Sequence, residues 1–306
     1  MNSTYNDRNI HATRMDHDLY NFSAFAARPS WSWPNGAKLA VMFLIDVEFQ
    51  DLELPPGVWR PAGTAVSLDV RNWSHRDYGA RVGVFRLASL LNEYGIKATS
   101  PISDMVLTRS PRVAEYVAEL GWEIAGHGAK SNHLITSQMS EEDEWAYLQA
   151  SRQAIHAATG VFPRAWKSPL SSESARTPFL AAKVGYDILL DWANDDQPYD
   201  MLPPEGPLTA LPVSVETSDN LVIDVQKHAP PVFEQVLKDH FDALYAECGT
   251  TAMAMTVSLQ AHLSGQPFRS KYIRNFVEHA ADHSGVWFAT ASEMTNAFRK
   301  ATTALV

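Results

Sequence analysis

Leu39 through Ile45 is an unbroken apolar run, with no polar position that either face of a strand could offer to water. A strand of that kind belongs in a parallel sheet covered on both sides, because crossover helices bury both of its faces. The rest of the chain agrees. Short apolar stretches predict strands at 96–100, 123–126, 186–190, 208–213, 252–259 and 286–289. Helical patterns fall between them at 81–94, 111–120, 140–159, 172–184, 230–246 and 270–283, with a last one from Ser292. Gly95 is placed to end the first, and Ser140 followed by Glu141, Glu142 and Asp143 to open the third. Strand–helix alternation without a domain-sized break predicts an α/β, parallel, barrel-like fold. We read 1–36 as an N-terminal arm and 37–306 as a single catalytic barrel domain, with 50–76 a long loop. The arm ends in the tryptophan-rich turn Trp31-Ser32-Trp33-Pro34-Asn35-Gly36, suited either to wrapping a neighbouring subunit or to packing on its own barrel.

Composition narrows the function. The formal net charge of −10, with no basic run, argues against nucleic acid and anionic membranes as partners. No apolar run is long enough to span a bilayer. A lone cysteine, Cys248, and an N-terminus without an apolar signal core point to a cytoplasmic protein. Cys248 has no obvious base beside it and is expected to be inert.

In a barrel of this kind chemistry collects just past the C-terminal ends of the strands. The residues there are Asp46 and Glu48, then His127 in Ala125-Gly126-His127-Gly128, then Lys167, Asp191-Trp192 and His262. Carboxylate and imidazole are the groups that move protons near neutral pH. Each also has a plainer reading. Asp46 suits a turn cap, His127 a core histidine, Asp195 and Asp196 a turn, and Lys130 and Lys167 solvated cations. Glu48 stands out, because a carboxylate closing an apolar run is costly without a partner. His228, His240, His279 and His283 fall on presumed helix faces or ends and receive no role.

Taken in order, these blocks resemble the polysaccharide deacetylase superfamily (carbohydrate esterase family 4, NodB homology), over roughly residues 35–295. The branch they are most similar to holds metal-independent allantoinases and cyclic imide hydrolases. The stretches that carry the likeness are Arg76-Asp77-Tyr78-Gly79, Arg81 to Arg86, Ser172 to Pro178, Asp191 to Tyr199, and His262 to Arg269. The resemblance implies a distorted (β/α)7 barrel. It makes Glu48 the retained acid of the first motif and His262 the final histidine. It also pairs His127 with a second metal-binding histidine four residues on, where this chain has Ser131.

Ligand counting then bears on the cofactor. Catalytic zinc usually takes three protein ligands and a water. Glu48 and His127 supply two, and only His133, two places beyond Ser131, is on hand as a third for zinc. We therefore expect no cofactor and no essential metal. The expected reaction is hydrolysis of the C–N bond of small cyclic amides, imides first and ureides such as allantoin or hydantoins next. Glu48, His127 and His262 would be catalytic, the histidines flanking the scissile carbonyl in roles the sequence leaves open. Arg76, Arg269 and Lys167 would bind substrate, with Tyr78 and Trp192 as an apolar wall. A homo-oligomer, dimer or tetramer, is expected, with the small cyclic amide as the only other partner. Two other readings stand beside it: a metal-dependent N-deacetylase of polysaccharides or chito-oligosaccharides, and a catalytically dead binding module.

Overall fold

The structure is a computed structural model describing residues 17–53, 69–249 and 251–304. The leading run becomes β1 (Leu39–Asp46), buried at every position. Its odd-numbered side chains Leu39, Val41, Phe43 and Ile45 join the layer of covering helices. Its even-numbered Ala40, Met42 and Leu44 point the other way, to Ala125, Ala165, Ile188 and Leu211. This two-sided burial is what the apolar run required.

The other strands are β2 (Thr99–Ile102), β3 (Glu123–Gly126), β4 (Ala165–Trp166), β5 (Ile188–Leu189), β6 (Tyr199–Asp200), β7 (Thr209–Ala210), β8 (Met253–Gln260) and β9 (Val286–Phe288). One curled sheet runs β6-β7-β5-β4-β3-β2-β1-β8. All neighbours are parallel except β6 with β7, which leaves seven parallel strands along the path, the distorted (β/α)7 arrangement that was expected. β8 follows β1 in register from Leu39↔Met253 to Asp46↔Gln260, while β9 pairs with the start of β1. Between β7 and β8 the chain closes the curl irregularly. Ser258 N donates to Thr217 O, and the Thr256 hydroxyl donates to Pro212 O at 2.6 Å.

The described part of the arm packs on its own chain. Trp33 is buried, donates from Nε1 to Met253 O at 2.7 Å, and sits against Trp31 and Trp287. Arg28 grips Asp195 with both terminal nitrogens, at 2.7 and 2.6 Å. Asp195 also accepts from Gln197 N, so it does fix a turn. Residues 1–16 of the arm lie outside the described residues.

Two expectations need correction. The loop read at 50–76 contains a helix, Val70–Tyr78, capped by the Asp69 side chain, which accepts from Asn72 N; residues 54–68 lie outside the described residues. The helix read at 172–184 starts only at Thr177. The segment before it is instead a clasp around the buried Glu144 carboxylate. Ser174 Oγ and Thr177 Oγ1 donate to it at 2.8 and 2.6 Å, and Arg176 Nη2 at 3.1 Å. Tertiary hydrogen bonds outbid the local helical pattern there. No helix among the described residues is long and apolar enough to cross a membrane.

Candidate active site

The C-terminal edge of the sheet gathers the site. Val47 still bridges to Ile102 of β2, so Glu48 is the first residue to leave the sheet. The pairing of Gly126 with Trp166 sets His127 beside Lys167 at the ends of β3 and β4. His127 is fully buried, and its Nδ1 lies 2.8 Å from Lys167 O. A carbonyl only accepts, so Nδ1 carries the proton. Nε2 lies 3.3 Å from Glu48 Oε1, and Arg76 Nη1 stands 3.6 Å from Glu48 Oε2.

The charges follow from this arrangement. Burial pushes the Glu48 carboxyl up. The hydrogen bond from His127 and the charges of His127, Arg76 and His262 outweigh it and hold Glu48 at about 2. Burial depresses His127, but the Glu48 contact and nearby Asp46 override it and raise its pKa above the ordinary histidine value. The Glu48 carboxylate therefore favours the imidazolium form of His127 across a buried contact.

His262 comes from the short turn Ala261–Ser264 just past β8. It is buried, edge-on to His75 with ring centroids 5.2 Å apart. Burial first, then the Arg76 charge, lowers its pKa to about 3, so it is a neutral imidazole at pH 7. Glycines make its position possible. A Cβ on Gly83 would sit 2.0 Å from Ala261 O, and one on Gly79 2.9 Å from His262 N. The helix bearing Arg76 and the turn bearing His262 thus touch through bare backbone.

The geometry sorts the expected residues. Glu48, His127, Arg76 and His262 come together. Arg269 lies on the same side, its charge felt by His75 and its Nη1 3.4 Å from Leu263 O. Lys167 is not a solvated cation: Nζ is buried and donates to Asp46 Oδ2 at 2.8 Å. Gln260 Nε2 donates to the same oxygen at 2.8 Å, so Asp46 is half of a buried ion pair rather than a turn cap. Tyr78 spends its hydroxyl accepting from Arg86 Nη1 at 2.6 Å. Trp192 packs edge-on to Tyr20 of the arm, centroids 5.6 Å apart. Cys248 is buried, and burial pushes its thiol up to about 11, which makes it inert at neutral pH.

Two groups escaped the sequence reading. His75 lies one turn from Tyr78 inside what looked like loop. Glu173 was visible only as part of a family block. Burial and Asp191 beside it push Glu173 far above the carboxylate range, so the two acids hold a proton between them. A sequence shows neither proximity.

The donor set does not fit a catalytic zinc. Ser131, four residues after His127, ties both its N–H and its hydroxyl to Phe49 O, at 2.9 and 3.2 Å. His133, the third ligand the sequence offered, is exposed and lies against Tyr147, and among the described residues no third His, Cys, Asp or Glu donor atom, that of His262 included, comes within 4.8 Å of those of both Glu48 and His127. Glu48 and His127 offer two donor atoms where a catalytic zinc takes three.

Residues 75–189 match the family model for polysaccharide deacetylases. Over that segment the chain is similar to polysaccharide deacetylase domains of the NodB, or CE4, type. A Schizosaccharomyces pombe protein named "Putative polysaccharide deacetylase" is 26% identical over 87% of this chain and 92% of its own length. Among solved structures, a probable polysaccharide deacetylase from Pseudomonas aeruginosa PAO1 superposes with a TM-score of 0.80 at 26% identity, covering 89% of this chain and 95% of that one. The PuuE allantoinase also superposes at 0.80, with 25% identity over 94% of this chain and 98% of its own.

Proposed function

We propose that this NodB-type protein is a hydrolase that opens the C–N bond of small cyclic amides, imides first and ureides such as allantoin or hydantoins next, without an essential metal. The observation that carries the reading is the direct Glu48–His127 pair, flanked by Arg76 and by a neutral His262, where a metal-dependent deacetylase would need a three-donor cage. Near-full-length likeness to an allantoinase supports it.

Leaving-group chemistry makes the reading plausible in energy. An imide nitrogen departs with its charge delocalised into the second carbonyl, so less electrophilic assistance is needed than for an ordinary amide. Glu48 takes a proton from the attacking water, and the new C–O bond forms. His262, neutral, donates its N–H to the oxyanion. The C–N bond then breaks, and Glu48 hands the same proton to the departing nitrogen. His127 is fully buried with both ring nitrogens engaged, so in this scheme it positions Glu48 rather than flanking the carbonyl. Arg76 adds a coupling. When it turns from Glu48 to a ring carbonyl, one of the charges that holds Glu48 near 2 is withdrawn, and Glu48 becomes a stronger base.

The test is a panel of maleimide, succinimide, hydantoin, allantoin and a chito-oligosaccharide, with and without chelator. Ring opening that survives chelation is the expected result. Sugar deacetylation abolished by chelation would establish the metal-dependent reading in its place.

A further inference from the structure

Three side chains remote in function from Glu48 and His262 meet on the outer surface of the barrel. Asp242 comes from the helix Pro230–Glu247, His279 from the helix Pro267–Ala281, and His283 from the turn just past it. Each can present a ligand atom, and those atoms lie within 4.8 Å of one another. No other group of three such residues among the described residues does so.

We propose that Asp242, His279 and His283 form a binding site for a divalent transition-metal cation, zinc foremost. The two nitrogens and one carboxylate oxygen are the donor set that zinc accepts, with water completing a tetrahedron.

The surroundings are arranged as a metal site requires. His283 Nδ1 lies 2.8 Å from His279 O, an acceptor, so Nδ1 carries the proton and the Nε2 lone pair is free. That is the outer contact which fixes the tautomer of metal-binding histidines. The rings are held by aromatic neighbours. Phe241 lies 5.5 Å from His279 and 5.1 Å from His283, and Tyr245 lies 4.9 Å from His283. The Tyr245 hydroxyl donates to Ser284 O at 2.8 Å and pins the turn that carries His283. His279 Nε2 already faces Asp242 Oδ1 at 2.7 Å. A cation entering there needs His279 to move its proton to Nδ1, which has no partner among the described residues, so no proton need leave the protein. Asp242 is half exposed and His279 about a quarter, leaving an open path for the ion and its water. Holding both helices, the ion would brace the packing that covers β8.

Zinc titration of the full-length, chelator-stripped protein tests this, read by isothermal titration calorimetry and by the melting temperature. One zinc per chain is expected, with a melting temperature that rises with zinc concentration. Asp242→Asn, at an exposed position, and His283→Ala, at a half-buried one whose folding a melt in zinc-free buffer checks, lie apart from Glu48 and His262, and each should weaken zinc binding at least about tenfold. A His127→Gln control should bind zinc as the wild type does. Absence of saturable zinc binding overturns the site. So does binding that the His283 and Asp242 variants leave unchanged, and binding lost in the His127 variant would move the ion to the barrel mouth.

Discussion

Replacing Glu48 by Gln tests the centre of the site with little change in volume. Glu48 is ionised well below neutral pH, and its carboxylate is the acceptor that faces His127 Nε2 at 3.3 Å. The amide cannot take a proton from water, so the loss should match that of a general base, about 10²–10⁴ in kcat/KM, or roughly 3–5 kcal/mol of barrier. The fold should survive. With the Glu48 charge gone, burial prevails at His127 and its pKa drops below 6.5. A neutral imidazole can then accept on Nε2 from the Gln amide, and the contact persists with donor and acceptor exchanged. The assay is kcat/KM at pH 7.5 on the best substrate of the panel. It is accompanied by a thermal melt and by an NMR titration of the His127 ring in both proteins. Activity within about threefold of wild type would defeat the assignment of Glu48 as base, on the scale general bases set. A His127 that stays protonated in the variant would defeat the account of the pair.

Four further outcomes follow from contacts in and around the site. The raised His127 pKa means that its imidazolium is present below 6.5 and is lost as pH rises through a higher value, so kcat/KM should fall on the alkaline side, with no acid limb from Glu48 until pH nears 2. His262 works in the opposite sense on stability. Unfolded, it binds a proton near 6.5 that the folded chain refuses until about 3, so its share is present above 6.5 and lost as pH falls; His262→Asn should relieve up to about 3–5 kcal/mol of acid destabilisation, seen by comparing urea melts of both proteins at pH 7 and 4. Lys167→Met strands the Asp46 carboxylate in the interior and should cost about 3–5 kcal/mol in urea unfolding; a loss under 1 kcal/mol would mean the pair is not buried as described. Gly83→Ala drives a methyl into Ala261 O and should cost about 1–3 kcal/mol while lowering activity through displaced His262 and Arg76, measured by melting and turnover together.

Much of the site could be read from residue order because strand ends are local features. The exactly bounded Glu123–Gly126 strand delivers His127, and the 252–259 pattern delivers His262 after β8. The helix Val70–Tyr78 was hidden by its weak apolar patterning, since no residue in it is buried; it is held by a cap and by backbone contact with the His262 turn. The clasp at 172–176 and the pairing of Asp46 with Lys167 were equally out of reach, because their partners stand 30 or more residues away.

The chain's linear pattern was sufficient for the parallel α/β architecture, since two-sided burial of β1 and a strand–helix rhythm leave few other ways to hide apolar surface. It also named the acid and the two imidazoles at the strand ends. Tertiary structure alone set their ionisation, because protonation depends on burial and on charges brought from distant segments: Glu48 charged, His127 pushed towards its protonated form by that charge, His262 neutral.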